Sequence, residues 1–142
     1  MTDFQAVFDN FNGVYQQDSR LYISENLVEI LNYLKNTPEF DFDMLTSIIA
    51  VDKIDYIELI YQLYSSKNNN SAEVVFSAYG HAPSVISVYK SAYFDECEIY
   101  DLFGVNFSEN ENLKRLFMPE SWIGHPLLKN YKLNDERLVW ND

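Results

Sequence analysis

The chain changes its hydrophobic period several times, and each change marks an element. Phe4, Val7, Phe8 and Phe11 recur at intervals of three and four, which predicts a short amphipathic helix with Gly13 at its end. Leu21-Tyr22-Ile23 reads as a short strand. Ser24 then stands as the N-cap of a second helix, with Glu25 in the first turn, where the helix dipole favours a carboxylate. Leu27, Ile30, Leu31 and Leu34 form one apolar face of that helix, and Pro38 stops it. Residues 40–50, FDFDMLTSIIA, fit either a short helix or a helix-to-strand connection, because their periodicity favours neither.

From Asp55 the period becomes two. Ile57, Leu59, Tyr61 and Leu63 share one parity and Glu58 and Gln62 the other, the pattern of a half-buried strand. The polar run Lys67 to Ser71 reads as a turn. Beyond it Val74 and Phe76 alternate with Glu73 and Ser77, so the two strands predict an antiparallel hairpin. Gly80 to Pro83 interrupts the pattern, Ser84 reads as the cap of a short helix through Tyr89, and a further helix runs from Ser91 to Phe103. Gly104 sits where a left-handed residue closes that helix. The remainder is irregular and punctuated by Pro119, Gly124 and Pro126.

These elements predict an α+β fold: a small antiparallel or mixed sheet with helices packed on it over residues 1–104. An extended irregular C-terminal tail, 105–142, follows as part of the same structural unit. A tail this long and this poor in regular structure is uncommon unless it is functional. It carries Leu116, Phe117, Met118, Trp122, Leu127 and Leu128, which need a surface to lie on, either their own domain or a partner.

Composition narrows the function. At 142 residues and 47% hydrophobic the chain fits one domain with a packed core. The aromatic share of 16% exceeds what a core this size needs, and aromatic residues are enriched at protein interfaces. A net charge of −12 argues against a nucleic-acid surface and against electrostatic docking on an anionic membrane. The one cysteine, Cys97, rules out an internal disulfide and a cysteine-rich metal or iron–sulfur site, and two histidines are too few for a histidine cage. No stretch approaches the roughly 18 apolar residues of a membrane span, and the N-terminus has no signal-peptide pattern, so a cytoplasmic location is expected. Without a Gly-x-Gly-x-x-Gly or Walker A sequence, FMN or NADH binding by this chain alone has no support.

Three carboxylates, Glu96, Glu98 and Asp101, lie within six residues. Glu98 and Asp101 share a helical face and Glu96 points elsewhere, so acidic residues on a solvated helix are the economical reading. His125 lies between Gly124 and Pro126, where an imidazole bonded to backbone carbonyls explains it without chemistry. Cys97 sits among Asp95, Glu96 and Glu98, which suppress a thiolate and leave a packing role. Lys114-Arg115 is placed to pair with a partner's carboxylate or with the local acidic helix.

The densest set of fixed points runs from Glu96 to Tyr131. Asp101-Leu102-Phe103-Gly104 and Gly124-His125-Pro126-Leu127 lie about twenty residues apart, with Lys114-Arg115 and a Met118-Pro119-Glu120-Ser121-Trp122 turn between them. This block resembles the signature of the 30-kDa subunit, or C subunit, of NADH-quinone oxidoreductase (respiratory complex I), and that of related subunits of membrane-bound nickel–iron hydrogenases. The family segment begins Glu-Arg-Glu; here Cys97 stands in place of the arginine. Where the family has Gly-His-Pro-Asp-Leu, this chain has Glu109-Asn110-Glu111-Asn112-Leu113, so that turn is built differently. Lys114-Arg115-Leu116 and Met118 to Leu127 match, while a later Arg-Lys-Asp has become Leu128-Lys129-Asn130.

The resemblance implies a scaffold subunit of the peripheral arm with no catalytic, cofactor-binding or metal-binding residue. FMN and iron–sulfur clusters would belong to other subunits. The partners would be a hydrogenase-large-subunit-like subunit and iron–sulfur subunits, at the cytoplasmic side of the cell membrane, without insertion and without nucleic acid. The complex would couple electron transfer from NADH to quinone to ion translocation. The expected partner-interface residues are Glu96, Glu98, Asp101, Phe103, Lys114, Arg115, Trp122, His125 and Leu127. The equivalent subunit of a membrane-bound hydrogenase is the alternative, and a stand-alone acid–base enzyme using His125 with Glu96, Glu98 or Asp101 a distant one.

Overall fold

The computed structural model describes residues 3–111, 113–115, 117–119 and 121–129. Leu116, Glu120 and the tail beyond Lys129 lie outside the described residues. A five-stranded mixed sheet forms the centre, built from β1 (Val14–Gln17), β2 (Arg20–Ile23), β3 (Met44–Asp52), β4 (Ile57–Ser65) and β5 (Asn70–Ala78) in the spatial order β1-β2-β5-β4-β3. All neighbours are antiparallel except β2 and β5, which run parallel. The expected β4–β5 hairpin is present, with Ile57 opposite Ala78 and Ser65 opposite Asn70. β1 and β2 form a second hairpin, turned by Asp18 and Ser19, both at positive φ (51° and 69°), as a two-residue type I′ loop requires.

Residues 44–52 resolve the ambiguity of the 40–50 segment in favour of a strand. It is rich in β-branched residues, and Ile48, Ile49 and Val51 pair along β4, with a register shift between Leu45 and Ser47. That shift blurs the alternation and hides the strand from a period count. β3 is an edge strand, and the next helix covers part of its open side: the Ser91 hydroxyl donates to the Leu45 carbonyl (3.2 Å), and the Ile48 amide donates to the Asp95 carboxylate (3.0 Å).

Helix α1 (Gln5–Asn10) ends at Phe11, short of Gly13, whose carbonyl instead accepts the Ser24 amide and hydroxyl. Ser24 therefore does not cap α2 (Leu27–Asn36). Asn26, at φ 61°, takes the N-cap position without a side-chain capping bond. The predicted face holds: Leu27, Ile30, Leu31 and Leu34 are all buried, each contributing about 1.5–3 kcal/mol of apolar burial. The segment after Ser84 makes one turn, closed by Val88 and Tyr89 amides on the Val85 carbonyl, instead of a helix.

Helix α3 (Ala92–Phe103) and its left-handed closing residue Gly104 (φ 78°) form as expected. The chain beyond Gly104 begins as structure, however. β6 (His81–Pro83) and β7 (Asn106–Ser108) pair as a small parallel ribbon, and Val105 and Phe107 are buried in the core. Residues 105–111 thus belong to the domain, and a cut after Gly104 would open its interior.

Candidate functional site: a strap closed on the end of α3

A helix leaves its last carbonyls without partners, and those carbonyls carry the negative end of its dipole. In α3 the returning tail supplies the donors. The Leu127 amide donates to the Leu102 carbonyl (2.9 Å), and His125 Nδ1 lies 2.9 Å from the Asp101 carbonyl oxygen. A carbonyl can only accept, so Nδ1 carries the proton. The imidazole fits because residue 104 is glycine: a Cβ there would stand 2.7 Å from His125 Cδ2. The two punctuation points about twenty residues apart in sequence are one contact in space.

Asp101 and Arg115 form the centre of this closure. Their side chains are 0% and 6% exposed, and Arg115 Nε donates to Asp101 Oδ1 at 2.6 Å. The remaining guanidinium bonds go to backbone: Nη1 to the Trp122 carbonyl (2.8 Å), Nη2 to the Gly124 carbonyl (2.9 Å) and to the Asp101 carbonyl (3.0 Å). The second carboxylate oxygen of Asp101 accepts the amides of Phe117 (2.6 Å) and Met118 (3.0 Å). One buried ion pair therefore fixes the strap at several points, and the fork geometry of arginine gives direction as well as charge.

Glu96 is the second buried carboxylate. It is 0% exposed and accepts the Ser84 hydroxyl (2.7 Å), the Val85 amide (2.8 Å) and the Asn110 side-chain amide (3.0 Å). Burial raises its pKa above the ordinary glutamate value, and those three donors oppose the rise. Asn110 lies in the 109–113 turn, which its bond to Glu96 ties to α3.

Asp52, at the end of β3, anchors the far end of the strap. Its Oδ2 accepts the Lys129 amide (2.6 Å) and its Oδ1 the Ile54 amide (2.7 Å). The Lys129 bond, then the Ile54 bond, hold its pKa below the ordinary aspartate value. Beside it a cavity of about 350 Å³ opens among Ile57, Ala78, Phe103 and Leu128. Nothing in the sequence pattern pointed to Asp52, though an Asp two residues before the amide it accepts is a usual turn device.

The residues expected to contact partners divide accordingly. Glu96 and Asp101 are interior, and their carboxylates are engaged within the chain. Arg115 is likewise interior, paired with the acidic helix. His125 is half-buried and bonds a backbone carbonyl, as a structural turn histidine does. Cys97 is fully buried. Glu98, Phe103 and Trp122 are half-buried, while Lys114 and Leu127 are exposed. His125 meets Asp101 through its main chain, and Glu96 faces Ser84, Val85 and Asn110, so neither carboxylate is bonded to the imidazole. Sequence reasoning named Phe117 among the tail residues that need a surface but passed over Phe94; their rings lie 6.5 Å apart, edge to face, both more than half exposed. Among the described residues no helix is long and apolar enough to cross a membrane, and no group of three or more His, Cys, Asp or Glu is placed to hold a metal ion.

Fold and site together define an α+β domain whose last helix is capped by its own C-terminal strap. The chain belongs to the family described as the 30-kDa subunit of respiratory-chain NADH dehydrogenase, whose profile matches residues 22–137. Its relatives include the C subunit of NADH-quinone oxidoreductase from Roseiflexus sp. (strain RS-1), 31% identical over 89% of this chain and 76% of that protein. The C subunit from Geobacter metallireducens is 36% identical over 77% of this chain and 70% of that protein. In Chromohalobacter salexigens the match, 36% identical over 75% of this chain, covers 20% of a combined C/D subunit. A chain of the membrane-bound sulfane sulfur reductase, an archaeal respiratory membrane complex, shares the fold, with a TM-score of 0.65 and 23% identity over 80% of this chain and 73% of that one.

Proposed function

We propose that this chain is a structural subunit of an NADH-quinone oxidoreductase of the complex I type, without a catalytic centre of its own. The observation that carries the reading is the use of the family's signature residues. Asp101, Gly104, Arg115, Gly124 and His125 close a strap on a helix, so their chemistry goes into shape. FMN and iron–sulfur clusters then belong to other subunits, and a single buried cysteine could not ligate a cluster here.

The chain sits peripherally at the cytoplasmic face of the membrane, against a hydrogenase-large-subunit-like subunit and iron–sulfur subunits. The relative that joins the C and D subunits in one protein supports such a neighbour, because fusion keeps two chains side by side. The NADH-quinone relatives favour this reading over a hydrogenase subunit.

Affinity purification of the tagged chain from its own membranes in mild detergent tests it, with mass spectrometry of every co-purifying subunit and a metal analysis. Recovery with flavin, iron–sulfur and quinone-reactive subunits and no nickel is expected. Recovery of the chain alone, or with a nickel-containing assembly, would overturn it.

A further inference from the structure

The ion pair at the centre of the strap also places an exposed feature. The Phe117 amide is held by Asp101 Oδ2 at 2.6 Å, and this sets the Phe117 ring against Phe94 of α3. The two rings remain 58% and 53% exposed. Two large aromatic side chains from different elements, fixed edge to face over a buried charge and left in solvent, gain little for the isolated chain. They have the makeup of an interface hot spot, a rigid aromatic anchor on a preorganised support.

The charges around the pair indicate what covers it. Helix α3 carries Asp95, Glu96, Glu98 and Asp101 and no basic residue. Glu98 follows Phe94 by one helical turn, on the same face. On the strap side the flanking charges among the described residues are Glu111, Lys114 and Arg115. Arg115 is taken up by Asp101, Glu96 is interior and Asp95 accepts the Ile48 amide of β3, which leaves Glu98 on the helical face that carries Phe94, with Glu111 and Lys114 on the strap side. A carboxylate one helical turn from an exposed aromatic pair fits a guanidinium flanked by apolar side chains. The cation stacks on the rings, which attract it through their quadrupole, and the Glu98 carboxylate orients it.

We propose that Phe94, Glu98 and Phe117 form a docking site for an arginine-bearing segment of a neighbouring subunit. This rests on the reading of the chain as a subunit of a larger complex. Arg115 acts on this site as a positioning residue, through Asp101 and the Phe117 amide.

The test uses the full tagged chain in its own cells. A benzophenone amino acid replaces Phe117, keeping an aromatic ring in place, and the assembly is irradiated, purified and mapped by mass spectrometry. The expected result is an adduct to a peptide of another subunit with arginine at or beside the linked residue. In parallel, Phe94→Ala and Glu98→Lys are expected to reduce co-purification of the other subunits by about tenfold or more, the size of effect seen at hot-spot positions. Neither side chain lies in the core, so the thermal midpoint of the purified variants should stay with the wild type and show that the loss is not one of folding. An adduct only to this chain, to a second copy of it or to lipid would overturn the proposal. So would wild-type recovery by both variants. Recovery of the wild-type chain alone would overturn the subunit reading and this inference together.

Discussion

Replacing Arg115 with methionine keeps most of the side-chain volume and removes the charge. The guanidinium contributes four hydrogen bonds, to the carboxylate and carbonyl of Asp101 and to the carbonyls of Trp122 and Gly124, and the substitution removes all of them. The two half-buried strap residues can turn their carbonyls to water. Asp101 cannot: its carboxylate is 0% exposed and loses its counter-charge, while the Phe117 and Met118 amides still bond it. Breaking a buried pair from one side typically destabilises by about 3–5 kcal/mol, because a charge is left without its partner. Against a total stability of about 5–15 kcal/mol this is a large fraction.

The loss has a ceiling. Once it exceeds the free energy that holds the strap down, the strap opens locally and returns Asp101 to water. Urea unfolding followed by circular dichroism measures the global loss, and amide exchange at Phe117 and Met118 measures the local one. Arg115→Met is expected to lower one or both by at least about 2 kcal/mol, on the scale of buried-pair disruption. The double variant with Asp101→Asn should lose less than the sum of the singles, since the stranded charge is gone. A global stability within about 0.5 kcal/mol of wild type, the range of surface substitutions, together with unchanged exchange at both amides, would show that this pair does not hold the strap.

The same closure sets two further outcomes. Gly104→Ala puts a Cβ at φ 78° and 2.7 Å from His125 Cδ2, so it should destabilise by about 1–3 kcal/mol and increase exchange of the Leu127 amide; a thermal scan checks the first and hydrogen exchange the second. Asp52 has a lowered folded-state pKa, so its contribution is present above the ordinary aspartate value of about 3.9 and is lost as pH falls through the lower folded value. Glu96 has the opposite sign: its raised pKa gives a contribution present below about 4.3 that declines as pH rises through the folded value. Urea titrations across the acid range, from about pH 3 to about pH 7, should therefore show the stability gap between wild type and Asp52→Asn narrowing towards the acid end, and a gap that does not change with pH would contradict the assignment.

Much of this architecture was legible in the chain because it depends on local periods. The face Leu27, Ile30, Leu31 and Leu34 could lie on only one side of a helix. The alternation from Ile57 to Leu63 could only be a strand half in the core, and Gly104 stood where a helix must end left-handed. β3 escaped because its bulge breaks the alternation. β6 and β7 escaped because three residues carry too little period to register, and β1 because Val14-Tyr15-Gln16-Gln17 has no apolar run like that of β2. The resemblance in the C-terminal block identified the family from its glycine, proline and aromatic spacing.

What sequence order left open was which groups meet. A period fixes the face on which Glu96 or Asp101 lies, but whether that face stays in water depends on what the chain brings back over it. The returning chain bonds both from more than ten residues away, so acids that read as solvated are interior anchors, and of the two pairings open to Arg115, a partner's carboxylate or the acidic helix, the fold makes the one with Asp101 of the helix. Burial of a charge is a property of the assembled interior, since only there is water excluded and a partner supplied at bonding distance. For the same reason Phe94 and Phe117, far apart along the chain, become one exposed aromatic pair only once Asp101 has drawn the strap into place.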